Sequence, residues 1–142
     1  MRSMSDKCFV DTNILVYAHD RTAGRKHLRA KALIESLWHS GNGVISTQVL
    51  QELCITLRRK VAHPVPLDEL RALIRDYSAW EVVVNTAESI LHALEIEQRY
   101  KTSFWDALIL QAGESCGAAI LYSEDLAAGR TYGAVQVMNP LV

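Results

Sequence analysis

The chain predicts an α/β fold, a three-layer α/β/α sandwich around a central sheet of parallel strands. Two observations carry this. Apolar runs of strand length alternate with amphipathic stretches of helix length along the whole chain, and that alternation calls for parallel strands joined by crossover helices on both faces. At 142 residues and 49% hydrophobic, the chain also has the length and the apolar material for a single core. No linker, low-complexity tract or repeat interrupts the pattern, so residues 1–142 read as one domain.

The first strand is "KCFVD", followed by a helical "NILVYAHD". "RKHLRAKALIESLWHSG" places Leu28, Ala32, Leu33, Leu37 and Trp38 at helical spacing, with Gly41 as its stop. "GVIS" is a second strand, and "TQVLQELCITLRRKV" is a long helix ended by Pro64 and Pro66. "LDELRALIRDYSAW" is a helix with Asp68 near its start, and "EVVVN" is a clear strand. "TAESILHALEIEQRY" and "SFWDALILQAGESCG" are successive helices joined around Lys101 and Thr102. "AAILYS" is a strand, "EDLAAG" a turn or short helix, and "AVQVMN" the last strand.

Composition narrows the function classes. Fifteen basic and sixteen acidic residues leave a net charge of −1, so any pull toward nucleic acid must come from local clusters. Three cysteines, Cys8, Cys54 and Cys116, lie in apolar runs without a C-x-x-C pair, which points to a reducing, cytoplasmic setting. The run after "MRSMSDK" is too short for a signal peptide, and no apolar stretch is long enough for a membrane helix. Five histidines lack zinc-ligand spacing and read mostly as surface residues.

The acids are the informative residues. Asp11 or Asn13 could cap the helix that follows, because short polar side chains accept from free first-turn amides. Glu52 could be a solvated helix glutamate, and Ser103 with Asp106 fits a capping box. Yet ligands in an open parallel sheet bind beyond the carboxyl ends of the strands. Asp11, Ser46 and Ser123 end strands there, Glu124 and Asp125 follow, and Glu52 lies in a helix that leaves the same edge. Two carboxylates about 4 Å apart repel by roughly 4 kcal/mol at an effective dielectric near 20. Such a cluster needs either protonation or a divalent cation, and an oxygen-only donor set suits Mg2+ or Mn2+ rather than zinc.

"FVDTNILVYA", "ISTQVLQEL", "SFWDALIL" and "ILYSEDL", in that order, resemble the PIN domain family, most closely the VapC-type toxins of toxin-antitoxin pairs. The resemblance spans about residues 8–139. It implies a five-stranded parallel sheet and a metal-dependent endoribonuclease, the toxin of a type II toxin-antitoxin system, with Mg2+ or Mn2+ as cofactor. The family's acidic positions fall on Asp11, Glu52, Asp106 and Asp125, with Glu124 the competitor for the fourth. Asp11, Asp106 and Asp125 would hold metal, and Glu52 would be a further ligand or the base. Thr12, Asn13 and Ser123 fall where the family places small polar residues around the acids. The implied partners are an RNA substrate, a small cognate antitoxin that lays its carboxyl-terminal segment in the groove, and a second copy of the chain.

An acidic pocket repels RNA, so basic side chains should flank it. Arg21, Arg25, Lys26 and Arg29, with Lys31, form one cluster, and Arg58, Arg59 and Lys60 a second; the first is the preferred phosphate contact. The alternative is that both are solvated helix faces. Tyr17, Phe104 and Trp105 read as core rather than base-stacking residues, and Trp38 and Leu57 could serve either the core or a dimer contact. Other readings are an RNA-processing nuclease without an antitoxin and a non-catalytic RNA- or partner-binding module. A phospho-accepting receiver domain would need a lysine after the last strand, which "AVQVMNPLV" lacks.

Overall fold

The computed structural model describes residues 6–142. The reading of the amino-terminal "MRSMS" therefore falls outside the described residues. Along the chain run β1 (Cys8–Val10), α1 (Thr12–His19), α2 (Arg25–Ser40), β2 (Gly43–Ser46), α3 (Thr47–Arg59) and α4 (Leu67–Tyr77). They are followed by β3 (Glu81–Val83), α5 (Ala87–Tyr100), α6 (Phe104–Ser115), β4 (Ile120–Tyr122), β5 (Thr131–Tyr132) and β6 (Val135–Met138).

The sheet order is β3-β2-β1-β4-β6-β5. The first five strands in that order are parallel, as expected, with Cys8 opposite both Gly43 and Ile120. The sixth, β5, runs antiparallel to β6 and corrects the five-strand count. At two residues, Thr131 and Tyr132 are too few to show an alternating pattern, and only pairing across the turn at Gly133 makes them a strand. A 3-10 turn at Arg21–Ala23 was likewise not expected.

The central strands read as continuous apolar runs because both of their faces are covered. Phe9, Val10, Ile45 and Leu121 are fully buried, whereas the edge strand β3 is not. α6 lies against β1, β2, β4 and β6 with α5 packed on it, while α1 packs on α2 and α3. Two glycines permit close approaches. A Cβ on Gly43 would come within 2.5 Å of the Trp80 ring, and one on Gly113 of α6 would meet Leu121 at 3.3 Å. Gly41 ends α2 in the left-handed region, as the sequence suggested. Lys101 does the same for α5, at a φ of 60° that costs a non-glycine residue some energy.

Leu57 belongs to the core, and Trp38 is 42% exposed at the edge of a ring cluster with Tyr77 and Trp80. The cysteines are free and only half-buried, less enclosed than their apolar runs implied. His19 departs from the surface assignment: it is partly buried, with Nε2 2.7 Å from the Tyr77 hydroxyl. Among the described residues no helix is long and apolar enough to cross a membrane.

Candidate functional site

The carboxyl ends of β1, β2 and β4 open into the starts of α1, α3 and the turn after Tyr122, and each junction is made by a polar residue. Asp11 is the N-cap of α1, so it is both cap and site residue. Ser46 caps α3 by accepting from the Val49 N–H at 3.2 Å, and Ser103 caps α6 by accepting from the Asp106 N–H at 3.1 Å. The three-residue offset of each cap fixes where α3 and α6 start, and in α6 it places Asp106 in the first turn.

Asp11 is 6% exposed. One carboxylate oxygen accepts from the Thr12 N–H at 2.7 Å and the other from the Ser123 hydroxyl at 2.8 Å. Burial pushes its pKa up to about 7; the two donors oppose that rise, and the charges of Glu52 and Asp125 add to it. Asp106 is raised in the same way, by burial first, against the Ser103 hydroxyl and with Asp125 and Glu52 adding. Asp11, Glu52, Asp106 and Asp125 therefore share one electrostatic environment although they come from four separate segments.

Glu52 is oriented by the protein. The Thr12 hydroxyl donates to its Oε1 at 2.7 Å, and the Gln48 side-chain amide reaches its Oε2 at 3.4 Å. The same Gln48 amide donates to the Trp105 carbonyl at 3.3 Å, so it links α3 to the start of α6 beside Asp106. Gln48 is 5% exposed, and its carbonyl oxygen has no partner among the described residues. Sequence reading passed over Gln48. Its one signal was its place a helical turn before Glu52, on the same face.

The residues expected to surround the acids divide. Thr12 and Ser123 contact Glu52 and Asp11 directly. Asn13 does not touch a carboxylate; its Oδ1 accepts from the Glu124 backbone N–H at 3.3 Å. It also does not act as the cap, because Asp11 already has that role. Glu124 is turned away from the other acids, accepting from the Tyr17 hydroxyl at 2.7 Å and pairing with Lys26. Burial alone would raise the Glu124 carboxyl, but Lys26 and Tyr17 bring it below its ordinary value. Asp125 is the one of the pair whose charge bears on Asp11 and Asp106.

A groove of about 700 Å³ runs over this edge, lined in part by Thr12, Gln48, Glu52, Lys60, Trp105 and Asp125. Asp11 and Asp106 adjoin the lining residues Thr12 and Trp105. Trp105 is 61% exposed, which corrects its assignment to the core: as the second residue of α6 it lies on the solvent side of a helix start. Phe104 and Tyr17 pack partly on the core, as expected. Among the basic residues, Lys60 of the less favoured cluster lines the groove. Lys26 is engaged with Glu124, Arg25 and Arg29 are exposed on α2, and Arg21 lines a neighbouring cavity. That cavity is slightly larger, about 760 Å³, but contains none of the four acids, so the chemistry belongs to the groove.

The donor set has the chemistry of a divalent-cation site. All four candidate ligands are carboxylates, hard donors of the kind Mg2+ and Mn2+ take. The Thr12 amide and Ser123 hydroxyl offset the burial of Asp11 only in part, and a cation would relieve the rest. Among the described residues no three His, Cys, Asp or Glu side chains already form a metal-holding group; of the four acids Asp125 is exposed, Glu52 and Asp106 are half-buried and Asp11 is buried. The residues fit the ion in kind.

The PIN domain family model matches residues 8–133. No curated protein sequence matches the chain closely enough to count as a relative. Among solved structures, the chain is similar to the Mycobacterium tuberculosis toxin VapC20, described as cleaving the sarcin-ricin loop, at 24% identity and TM-score 0.64, over 84% of this chain and 90% of that one. It is similar to a toxin-antitoxin complex from Klebsiella pneumoniae at 19% identity and TM-score 0.69, over 94% and 98% of the two chains. The DNA-bound VapBC of Salmonella typhimurium aligns at 17% identity and TM-score 0.64, over 94% and 98%. At these identities the likeness establishes the fold.

Proposed function

Since the chain belongs to the PIN domain family, we propose that it is a metal-dependent endoribonuclease and the toxin of a type II toxin-antitoxin pair. The observation that carries this is that Glu52 and Asp125, which line one groove at the carboxyl edge of the sheet, bear with their charges on both Asp11 and Asp106. Asp11, Asp106 and Asp125 would hold Mg2+ or Mn2+, which when bound would activate the phosphate as a Lewis acid and acidify a water. Glu52, fixed by Thr12 and Gln48, accepts the proton of the attacking water or joins the ligands. Water adds to phosphorus, the bond to the 3′ oxygen breaks and that oxygen takes a proton from solvent, leaving a 5′-phosphate and a 3′-hydroxyl. Asp11 keeps its orientation through the Thr12 amide and Ser123 hydroxyl, and Lys60, on the groove, would meet the phosphates of the strand.

The toxin reading draws support from neighbours that are toxin-antitoxin complexes. The groove itself sets apolar Val16, Ile55 and Trp105 beside the acids, a surface suited to an antitoxin segment bearing an arginine. Ile90, Leu91 and Leu94 are exposed together on α5 and offer a face for a second copy. The free cysteines agree with a cytoplasmic setting. RNA incubated with Mn2+ should be cut by the wild type and not by Asp11→Asn; equal cutting by both would overturn the assignment. Induced expression should arrest growth, and harmless wild-type protein would favour a processing nuclease without an antitoxin.

A further inference from the structure

Glu124 precedes Asp125 and is held from three sides. Its Oε1 accepts from the Tyr17 hydroxyl at 2.7 Å, its Oε2 from the Lys26 ammonium at 2.5 Å, and its backbone N–H donates to Asn13 Oδ1 at 3.3 Å. Lys26 Nζ also stands 5.1 Å from the centroid of the Tyr17 ring, so cation and phenol support each other as well as the carboxylate. On the other flank, Ser123 Oγ accepts from the Asp125 N–H at 3.2 Å while donating to Asp11 at 2.8 Å. Asp125 is the next residue after this doubly anchored pair, and its own side chain is exposed.

We propose that Glu124, clamped by Tyr17 and Lys26, is a positioning residue that holds Asp125 in reach of Asp11 and Asp106. The proposal rests on the nuclease reading above. A partly exposed Lys–Glu pair contributes little to global stability. Its value here is geometric, because a ligand displaced by about 1 Å loses much of its effect. Without the clamp the turn after β4 would keep its backbone bonds to Ser123 and Asn13 but lose the side-chain anchor that ties it to α1 and α2, leaving Asp125 less firmly placed. The clamp also takes Lys26 out of the set of phosphate contacts, since its ammonium is committed to Glu124.

The test follows Mn2+ binding to the whole protein by the electron paramagnetic resonance of free Mn2+, and RNA binding across salt concentrations in chelator, where RNA is bound and not cut. Glu124→Gln and Lys26→Met should each weaken Mn2+ binding by about tenfold, the range found when partners of metal ligands are removed. Lys26→Arg should keep wild-type binding, and added Mn2+ should restore cleavage by Glu124→Gln. The salt dependence of RNA binding should be unchanged in Lys26→Met. The clamp is overturned if Mn2+ affinity is unaltered in both neutral variants. It is equally overturned if Glu124→Gln tightens RNA binding and Lys26→Met lowers the salt slope by about one, the signature of a phosphate contact. A wild type that binds no Mn2+ overturns the nuclease reading along with the clamp, whereas bound Mn2+ with unaltered variants overturns the clamp alone.

Discussion

Asp11→Asn in the presence of a chelator gives the most direct reading of the site. Asp11 is almost fully buried and its pKa rises from an ordinary 3.8 to about 7. At 1.36 kcal/mol per pH unit this rise is worth about 4 kcal/mol. Below pH 4 the group is protonated in both folded and unfolded chains and costs nothing. Between pH 4 and pH 7 the unfolded chain gives up the proton while the folded one keeps it, so stability falls as pH rises. Above pH 7 the loss is complete. Asparagine keeps an acceptor for the Thr12 amide and lets the Ser123 hydroxyl turn to accept, so it holds the geometry without the charge. Urea unfolding in chelator from pH 4 to pH 8 should therefore show wild type losing about 4 kcal/mol relative to Asp11→Asn. The burial of Asp106 acts in the same direction. Mn2+ at a hundred times its dissociation constant should return about 2.7 kcal/mol to wild type at pH 8 and little to the variant. Parallel profiles for the two proteins in chelator would refute the claim that Asp11 is a charge held in place for a cation.

Two further perturbations separate site from scaffold. Thr12→Val removes the 2.7 Å hydroxyl bond that orients Glu52, and cleavage should fall by about tenfold, the rate equivalent of one charged hydrogen bond of roughly 1.5 kcal/mol, with little change in RNA affinity. Gly43→Ala drives a Cβ to within 2.5 Å of the Trp80 ring far from the groove; its cost of about 1–3 kcal/mol should appear in thermal unfolding while the folded variant cleaves RNA normally.

Local signals carried most of the fold. The strands at Cys8–Val10, Gly43–Ser46 and Ile120–Tyr122 are buried on both faces and so are written as unbroken apolar runs, and Gly41 marks a helix end through its own backbone freedom. β5 was invisible because two residues carry no period. Asp11 looked like a cap and is one, yet its second oxygen meets a hydroxyl 112 residues away.

What the sequence determined by itself was the order of strands and helices and the set of acids that end at one sheet edge, because periodicity and caps are properties of neighbours along the chain. Which acids face each other was a tertiary matter. Glu124 and Asp125 are adjacent carboxylates that no local rule separates; the Tyr17 hydroxyl and Lys26 ammonium, brought in by α1 and α2, draw one away and leave the other to the site. Gln48, Trp105 and Lys60 were likewise assigned to the groove only by the packing of α3 against its neighbours, since burial and exposure are decided by what lies across the fold.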